Sequence, residues 1–277
     1  MKADLHTHST VSDGSEGISY IVQAAKQKGL DAVAITEHDT LSHLDRISYD
    51  PDIHIIGGIE ISAAHRETGT RAHVLGYRIC KPDIVTRLTQ PLLEARSRNS
   101  EKQAGILRQL GFRIDVGRLA RADGKYLYKQ HIMDWLVTTG QALDMFGDFY
   151  QRMFKHGGIC DFDINYVDVF DAVRAIKMAG GLAVLAHPGQ QQNLWLVPEL
   201  VRNGLDGLEL NHYANSDKDK DAIRTCASHY GLFLTGGSDF HGRYEQQPIT
   251  VGSGLSEDCG VKAILHTKPV KASAMTA

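Results

Sequence analysis

Residues 1–39 read MKADLHTHSTVSDGSEGISYIVQAAKQKGLDAVAITEHD, and their rhythm decides the fold. A short apolar run, Ala3–Leu5, gives way to polar sequence that contains glycine. Ile18–Lys28 then sets Ile18, Ile21, Val22 and Ala25 on one helical face, with Gly29 as the stop. A second apolar run, Ala32–Thr36, follows. Strand, helix and strand in this order form a βαβ unit and predict parallel pairing.

Working outward, the same kind of run recurs at Ile53–Ile59, Ala72–Tyr77, Leu182–Ala186, Gly207–Leu210 and Leu232–Thr235. Near-continuous apolar runs suit parallel strands covered on both faces. Helical spacing returns at Val167–Met178 and Asp217–Tyr230, each stopped by glycine. A chain of 277 residues fits one α/β barrel with an inserted piece. The insertion is expected over residues 85–165, where the pattern turns helical (Leu88–Leu110, Ile132–Thr139, Leu143–Lys155) and no strand stands out. The predicted organisation is therefore a barrel from residues 1–84 and 166–277 that carries a metal site. Residues 85–165 form a helical cap subdomain that contributes to substrate binding. The chain turns small and polar after Ile264, and Lys271–Ala277 is expected to fray.

Composition narrows the function. Hydrophobic residues make up 42% of the chain, enough for a sizeable core. The net charge of −3 provides no general basic field, so any nucleic-acid affinity needs a local patch. The four cysteines form no CxxC pair, which predicts reduced thiols in the cytoplasm. Met1-Lys2-Ala3-Asp4 enters the first strand without a basic or apolar leader, so no signal peptide is expected. No apolar run approaches the ~20 residues that span a bilayer. Histidine is the informative residue type, with fourteen in the chain. Imidazole is the commonest metal ligand and a proton shuttle near neutral pH.

Potential ligands fall where apolar strands end. The first run leads into His6-Thr7-His8, whose alternation puts both imidazoles on one face. The second ends in Glu37-His38-Asp39, the third in Glu60, the fifth in His187 and the seventh in Ser238-Asp239-Phe240-His241, while Asp13 lies in the first loop. His73 departs from this rule and sits within its run. In a parallel barrel the C-terminal ends of the strands converge on one mouth, where catalytic groups are found. Nitrogen and oxygen donors without thiolate suit Zn, Mn or Fe. Nine side chains exceed what one ion can coordinate, so two or three adjacent ions are expected, with Glu60 bridging.

The pieces DLHTHS with SDG, ITEHD, GGIE, HVLGY, AHPG and GGSDFHG, in this order from residue 4 to residue 242, resemble the PHP (polymerase and histidinol phosphatase) superfamily. GLELNHYA and LTGGSDFHG are similar to its stand-alone nucleoside 3′,5′-bisphosphate phosphatases and 5′→3′ exoribonucleases. The resemblance implies a distorted (β/α)7 barrel and three divalent ions (Mn, Fe or Zn). His6, His8, Glu60 and Asp239 would hold the first. Glu60, His73 and His187 would hold the second, and Asp13, His38 and His241 the third. It also implies attack on phosphorus by a metal-bridging hydroxide, with Glu60, Asp239 and His241 as catalytic candidates. The cap departs from that subgroup: Tyr128-Lys129-Gln130-His131 stands where an Arg-Pro-His-like segment is usual.

Substrate-binding candidates are Arg96, Arg98, Lys129, His131 and His212. Asp39 is a candidate for orienting a neighbour or for capping the next turn. His43, His54, His65, His156, His229 and His266 read as surface residues. The expected activity is metal-dependent hydrolysis of a phosphate monoester on a nucleotide or nucleoside bisphosphate, with RNA 5′ ends a further candidate. A small metabolite such as histidinol phosphate is the alternative substrate. A non-catalytic PHP-like regulatory module and an amidohydrolase-type C–N hydrolase are alternatives of other classes. The full ligand set argues against the first, and the lack of a lysine at any strand end argues against the second.

Overall fold

The computed structural model describes residues 1–266; the tail expected to fray, Lys271–Ala277, lies outside the described residues. Seven strands form one sheet, and they coincide with the seven apolar runs. They are β1 (Ala3–Asp4), β2 (Ala32–His38), β3 (His54–Ile61), β4 (Val74–Tyr77), β5 (Leu182–Leu185), β6 (Gly207–Asn211) and β7 (Phe233–Gly236). Their spatial order follows the chain order. The sheet nearly closes on itself through Leu5 N to Gly236 O (3.1 Å), Asp239 N to His6 O (2.8 Å) and His8 N to Phe240 O (2.9 Å). Gly237 permits this approach, since a Cβ there would lie 2.2 Å from His6 Cβ. The result is a distorted α/β barrel.

One strand breaks the expected parallel pattern. β4 runs antiparallel to both neighbours, with Glu60 opposite Leu75 and Val74 opposite Leu185. His73, just before β4, therefore lies at the mouth, because the N-terminal end of a reversed strand sits beside the C-terminal ends of the others. The expectation that His73 lies within a parallel strand is corrected on both counts. A further two-residue pairing that the sequence did not suggest joins Ala63–Ala64 to Val167–Asp168.

The longer helices are α1 (Ile18–Gln27), α2 (Pro82–Gln109), α3 (Lys129–Thr138), α4 (Asp148–Phe154), α5 (Val169–Met178), α6 (Val197–Arg202), α7 (Asp217–Tyr230) and α8 (Asp258–His266). Strand residues divide among three cores, one of which packs Val33 and Ile35 on Ile21 and Ala25 of α1. Leu5, Ala34, Leu75, Tyr77 and Val184 pack together with Val261 and Ile264 of α8. Ile59, Ile61, Val74, Leu185 and Leu208 pack on α5, α6 and α7. Each fully buried aliphatic side chain contributes roughly 1.5–3 kcal/mol to this arrangement.

α2 starts earlier than the periodicity indicated because Pro82, with its fixed φ, opens the first turn. It begins beside the end of α5, where Cys80 N donates to Ala179 O. α4 starts later than expected. Asp144 accepts from Gly147 N, the helix begins at Asp148, and Leu143 is fully exposed. Residues 104–160 build a separate apolar cluster, with Leu107, Leu127, Ile132, Leu136 and Phe154 at its centre.

Candidate metal centre

The barrel mouth gathers histidine around one carboxylate. Glu60, at the end of β3 and 1% exposed, has five imidazoles within ion-pair distance. On Oε2 the contacts are His6 Nε2 at 3.1 Å, His8 Nε2 at 3.2 Å and His38 Nδ1 at 3.3 Å. On Oε1 they are His73 Nδ1 and His187 Nε2, both at 2.9 Å. Asp239 Oδ1 is shared by His6 Nε2 (3.2 Å) and His8 Nε2 (3.1 Å), and Asp13 Oδ1 lies 3.5 Å from His241 Nε2. Three donor sets, each within 4.8 Å, could each hold a cation: His6, His8, Glu60 and Asp239; His38, Glu60 and His73; and His8, Asp13, His38 and His241. His187 joins the second set through Glu60 Oε1. All nine residues named from the sequence as ligands thus converge.

The hydrogen-bond pattern behind the ligands says which nitrogens face inward. His6 Nδ1 meets Glu209 Oε1 at 3.0 Å. An ionised carboxylate only accepts, so Nδ1–H donates and the Nε2 lone pair faces Glu60 and Asp239. His241 Nδ1 meets two acceptors, Asp239 O at 2.8 Å and Glu245 Oε1 at 3.2 Å, so its Nε2 lone pair faces Asp13. A lone pair opposed to a carboxylate is repulsive unless a cation lies between them. Consistent with this, His8 Nε2, Asp13 Oδ1 and Asp239 Oδ1, all turned into this cluster, are buried and make no hydrogen bond. Two ligands each about 2.1 Å from one ion stand ~3–3.4 Å apart, the spacing seen here. The donor set fits divalent cations.

The electrostatics point the same way. The carboxylates that would share a cation otherwise draw a proton to its place: burial alone would push the His6 imidazole down, but Glu209, Asp239 and Glu60 outweigh it and drive it well above its ordinary value. Burial, with His8 and His73 beside it, pushes His38 down to about 4 against the pull of Glu60 and Asp13. Burial would raise the Glu60 carboxyl, yet His38, His6 and His73 hold it well below its usual range. The carboxylates at this spot demand positive charge.

Three non-glycine residues at the mouth adopt left-handed backbone: His187 (φ 26°), Asp239 (φ 55°) and Asp39 (φ 60°). Such conformations cost on the order of 1–3 kcal/mol each, and here they turn side chains at strand ends toward the mouth. Carboxylates missed by the sequence reading hold the ligand loops. Glu209 Oε2 also accepts from His187 N at 2.8 Å. Asp4 accepts from Ser238 N at 2.9 Å and Gly252 N at 2.7 Å, and burial lifts its pKa to about 6. Glu37 accepts from the hydroxyls of Ser9 and Ser12, in the loop leading to Asp13. The signal was available: each is an acidic residue inside or directly after an apolar strand run, where charge survives only if it is bonded.

The substrate-side candidates separate. Lys129 lines a cavity of about 180 Å³ between the mouth and the helical segment, as do Asp13, His38 and His73. Arg96 reaches the same cavity, but its Nη2 donates to Asp39 Oδ2 and Ser62 Oγ, both at 2.9 Å. Asp39 is fully buried, so this pair ties α2 to the turn after His38. Arg98 is not brought to the site; its side chain is 68% exposed and lies 3.7 Å from Glu94 on the same helix. His131 is buried, and its Nδ1 accepts from Tyr128 N at 3.1 Å, so it caps α3 rather than facing the cavity. His212 is also buried. Its Nδ1 accepts from Ala214 N, leaving Nε2–H to donate to Asp239 Oδ2 at 3.3 Å. The sequence missed Gln130, which donates to Asp13 Oδ2 at 2.9 Å, and the cavity residues Arg71, Lys155 and Asp163.

Two expected surface histidines are buried. His43 donates from Nε2 to Ile35 O at 3.1 Å under β2, and His65 packs edge-on against Phe170 and Trp195. In both cases the loop carrying the histidine folds back onto the barrel. His54, His156, His229 and His266 are exposed as expected.

With this geometry in place, comparison with known proteins is specific. Residues 4–143 match the PHP domain family. A phosphoribosyl 1,2-cyclic phosphate 1,2-diphosphodiesterase of Eggerthella lenta is 40% identical, over 90% of this chain and 97% of that protein. A 5′-3′ exoribonuclease of Haemophilus influenzae is 28% identical, over 87% of this chain and 90% of that protein. The crystal structure of a candidate metal-dependent phosphoesterase from Bifidobacterium adolescentis superposes with a TM-score of 0.85 at 27% identity, covering 95% of each chain.

Proposed function

The chain belongs to the PHP domain family and is a hydrolase of phosphoesters that uses divalent metal; from this premise we propose that its substrate is a small phosphorylated ribose compound, a sugar 1,2-cyclic phosphate in the first place. One observation carries the reading of the site: five imidazoles meet both oxygens of a single buried carboxylate, Glu60. We assign three cations, held by His6, His8, Glu60 and Asp239; by Glu60, His73 and His187; and by Asp13, His38 and His241. When bound, such ions supply Lewis acidity to phosphoryl oxygens and lower the pKa of water. The expected monoester is thereby widened to include a diester, because the relative at 40% identity is named for one.

The chain's own groups do the rest. Glu60, which belongs to two of the donor sets, would bridge neighbouring ions. Burial would raise the Asp239 carboxyl, but His6 and His241 beside it and the bond that His212 donates to its second oxygen keep it ionised, leaving Oδ1 turned to His6 and His8. Glu245 and the Asp239 carbonyl hold His241 with Nε2 facing Asp13. Gln130 reaches from α3 to the other oxygen of Asp13 and so ties the cap to the mouth. The cavity of about 180 Å³ shares Asp13, His38 and His73 with a wider cleft of about 600 Å³ lined by Glu60, His187, Asp239 and His241, which gives a phosphosugar room.

The test is a phosphate-ester panel with Mn-, Fe- or Zn-loaded protein: phosphoribosyl 1,2-cyclic phosphate, a nucleoside 3′,5′-bisphosphate, histidinol phosphate and a 5′-phosphorylated RNA. The cyclic phosphate should give the highest kcat/KM. Faster turnover of RNA would replace the small-sugar reading with the exoribonuclease one, and no turnover of any ester would remove the assignment.

A further inference from the structure

The cap side of the cavity carries charge that the reaction does not use. Four cations line it: Arg71 before β4, Arg96 on α2, Lys129 at the start of α3 and Lys155 after α4. Arg96 is neutralised by Asp39 at 2.9 Å, and Arg71 by Asp163 at 2.7 Å. Among the described residues, Lys129 and Lys155 have no carboxylate within ion-pair distance. Lys129 instead lies 5.7 Å from the Phe154 ring. Burial pushes the Lys129 ammonium down; Asp163 opposes this, while Lys155, Arg71 and Arg96 add to it as like charges. Close cations without a matching anion repel one another, and the arrangement persists in proteins where a ligand supplies the anion.

The wall beside these groups is aromatic. Tyr166 donates its hydroxyl to Asp163 Oδ2 at 2.8 Å, and the Arg71 guanidinium stands 5.1 Å from the Tyr166 ring. Asp163 therefore gathers Arg71 and Tyr166 on one side of the slot. The same cavity is also lined by Asp13, His38 and His73 of the metal centre, and Arg71 lines both it and the wider cleft over Glu60 and Asp239. A substrate with its reacting phosphate at the metal centre would carry its far end among Arg71, Lys129 and Lys155.

We infer that Arg71, Lys129 and Lys155 form a second phosphate subsite, which selects sugar phosphates carrying a non-reacting phosphate remote from the ester that is cleaved, and that Asp163 holds Arg71 in place until that phosphate arrives. This deepens the proposed function and rests on its placement of the reacting phosphate at the mouth. The subsite itself can be tested without turnover.

The probe is ribose 5-phosphate, with ribose as its phosphate-free partner, titrated calorimetrically into metal-loaded protein. Wild type should bind ribose 5-phosphate at least about thirtyfold more tightly than ribose. Arg71→Ala combined with Lys155→Ala should weaken ribose 5-phosphate about tenfold or more and leave ribose unaffected. Asp163→Asn gives a signature that loss of packing would not: it frees Arg71 and should tighten ribose 5-phosphate by about threefold. Equal affinity of wild type and double variant would put the phosphate at the metals and overturn the subsite, and so would the absence of binding by wild type. If a 5′-phosphorylated trinucleotide loses affinity in the double variant and ribose 5-phosphate does not, the slot is a nucleic-acid groove and the sugar-phosphate assignment falls. Failure of the ester panel would sink the reaction reading while leaving this binding difference standing, so the two can fail separately.

Discussion

The barrel mouth and the helical segment above it are built on opposite principles. At the mouth most charged groups have several partners: Glu60 meets five imidazoles, Glu209 holds both His6 and His187, and Asp4 ties down the loop that carries Asp239. In the cap, Lys129 and Lys155 face the cavity without a carboxylate partner among the described residues. A site that must hold several cations at fixed spacing needs over-determined ligands. A wall that must release its ligand after each turnover does better with charges left open. On the proposed reading, chemistry resides in the half with over-determined ligands and choice of substrate in the half with open charges.

That contrast can be broken by substitutions taken in order of expected effect. Glu60→Gln removes the charge that five imidazoles share and should lower kcat by about a thousandfold or more, with metal content falling in parallel by elemental analysis. A variant that keeps both would show the mouth to be less interdependent than the geometry says. Arg96→Ala leaves Asp39 buried and unpaired and should lower stability by about 3 kcal/mol in urea unfolding. A loss below ~1 kcal/mol would mean that Arg96 is free to bind substrate, as first expected from the sequence. Glu209→Gln keeps the shape but weakens the hold on His6, and metal affinity should drop ~10–100-fold in a competition assay.

The cap predictions are smaller. Lys129→Ala should raise KM about tenfold with a lesser change in kcat, because a wall charge binds ground state and transition state alike. An effect confined to kcat would move Lys129 into the chemical step. Arg98→Ala should change neither KM nor stability beyond ~0.5 kcal/mol, since its exposed pairing with Glu94 contributes little. A clear KM effect would restore Arg98 to the site and redraw the cavity.

The same division governs what the sequence discloses. Strands at the mouth announce themselves by apolar runs, and ligands by standing where those runs stop. His73, the exception to that rule, is explained by the reversal of β4; no local pattern distinguishes a reversed strand from a parallel one of the same composition. Glu37 and Glu209 are masked by the apolar composition of their strands, although a buried charge is itself a signal. The cap was harder to read. Arg96 and Arg98 lie two positions apart on one helix and look alike in sequence, yet about 200° of helical rotation separates a buried latch from a solvated side chain. His131 looked like a phosphate ligand because of its neighbours, and only the backbone contact to Tyr128 identifies it as a cap of its own helix.

The reversal of β4 also dictates how the cap reaches the mouth. A strand that starts at the rim delivers the chain to the far end of the barrel, beside Ala179, and α2 has to carry it back. From Pro82 to Arg96 the helix rises about 21 Å at 1.5 Å per residue. α2 is thus a ruler as well as a covering helix. Deleting one turn from its first half would retract the whole upper assembly by about 5.4 Å, sliding the Arg96 guanidinium off Asp39 and the Gln130 amide off Asp13.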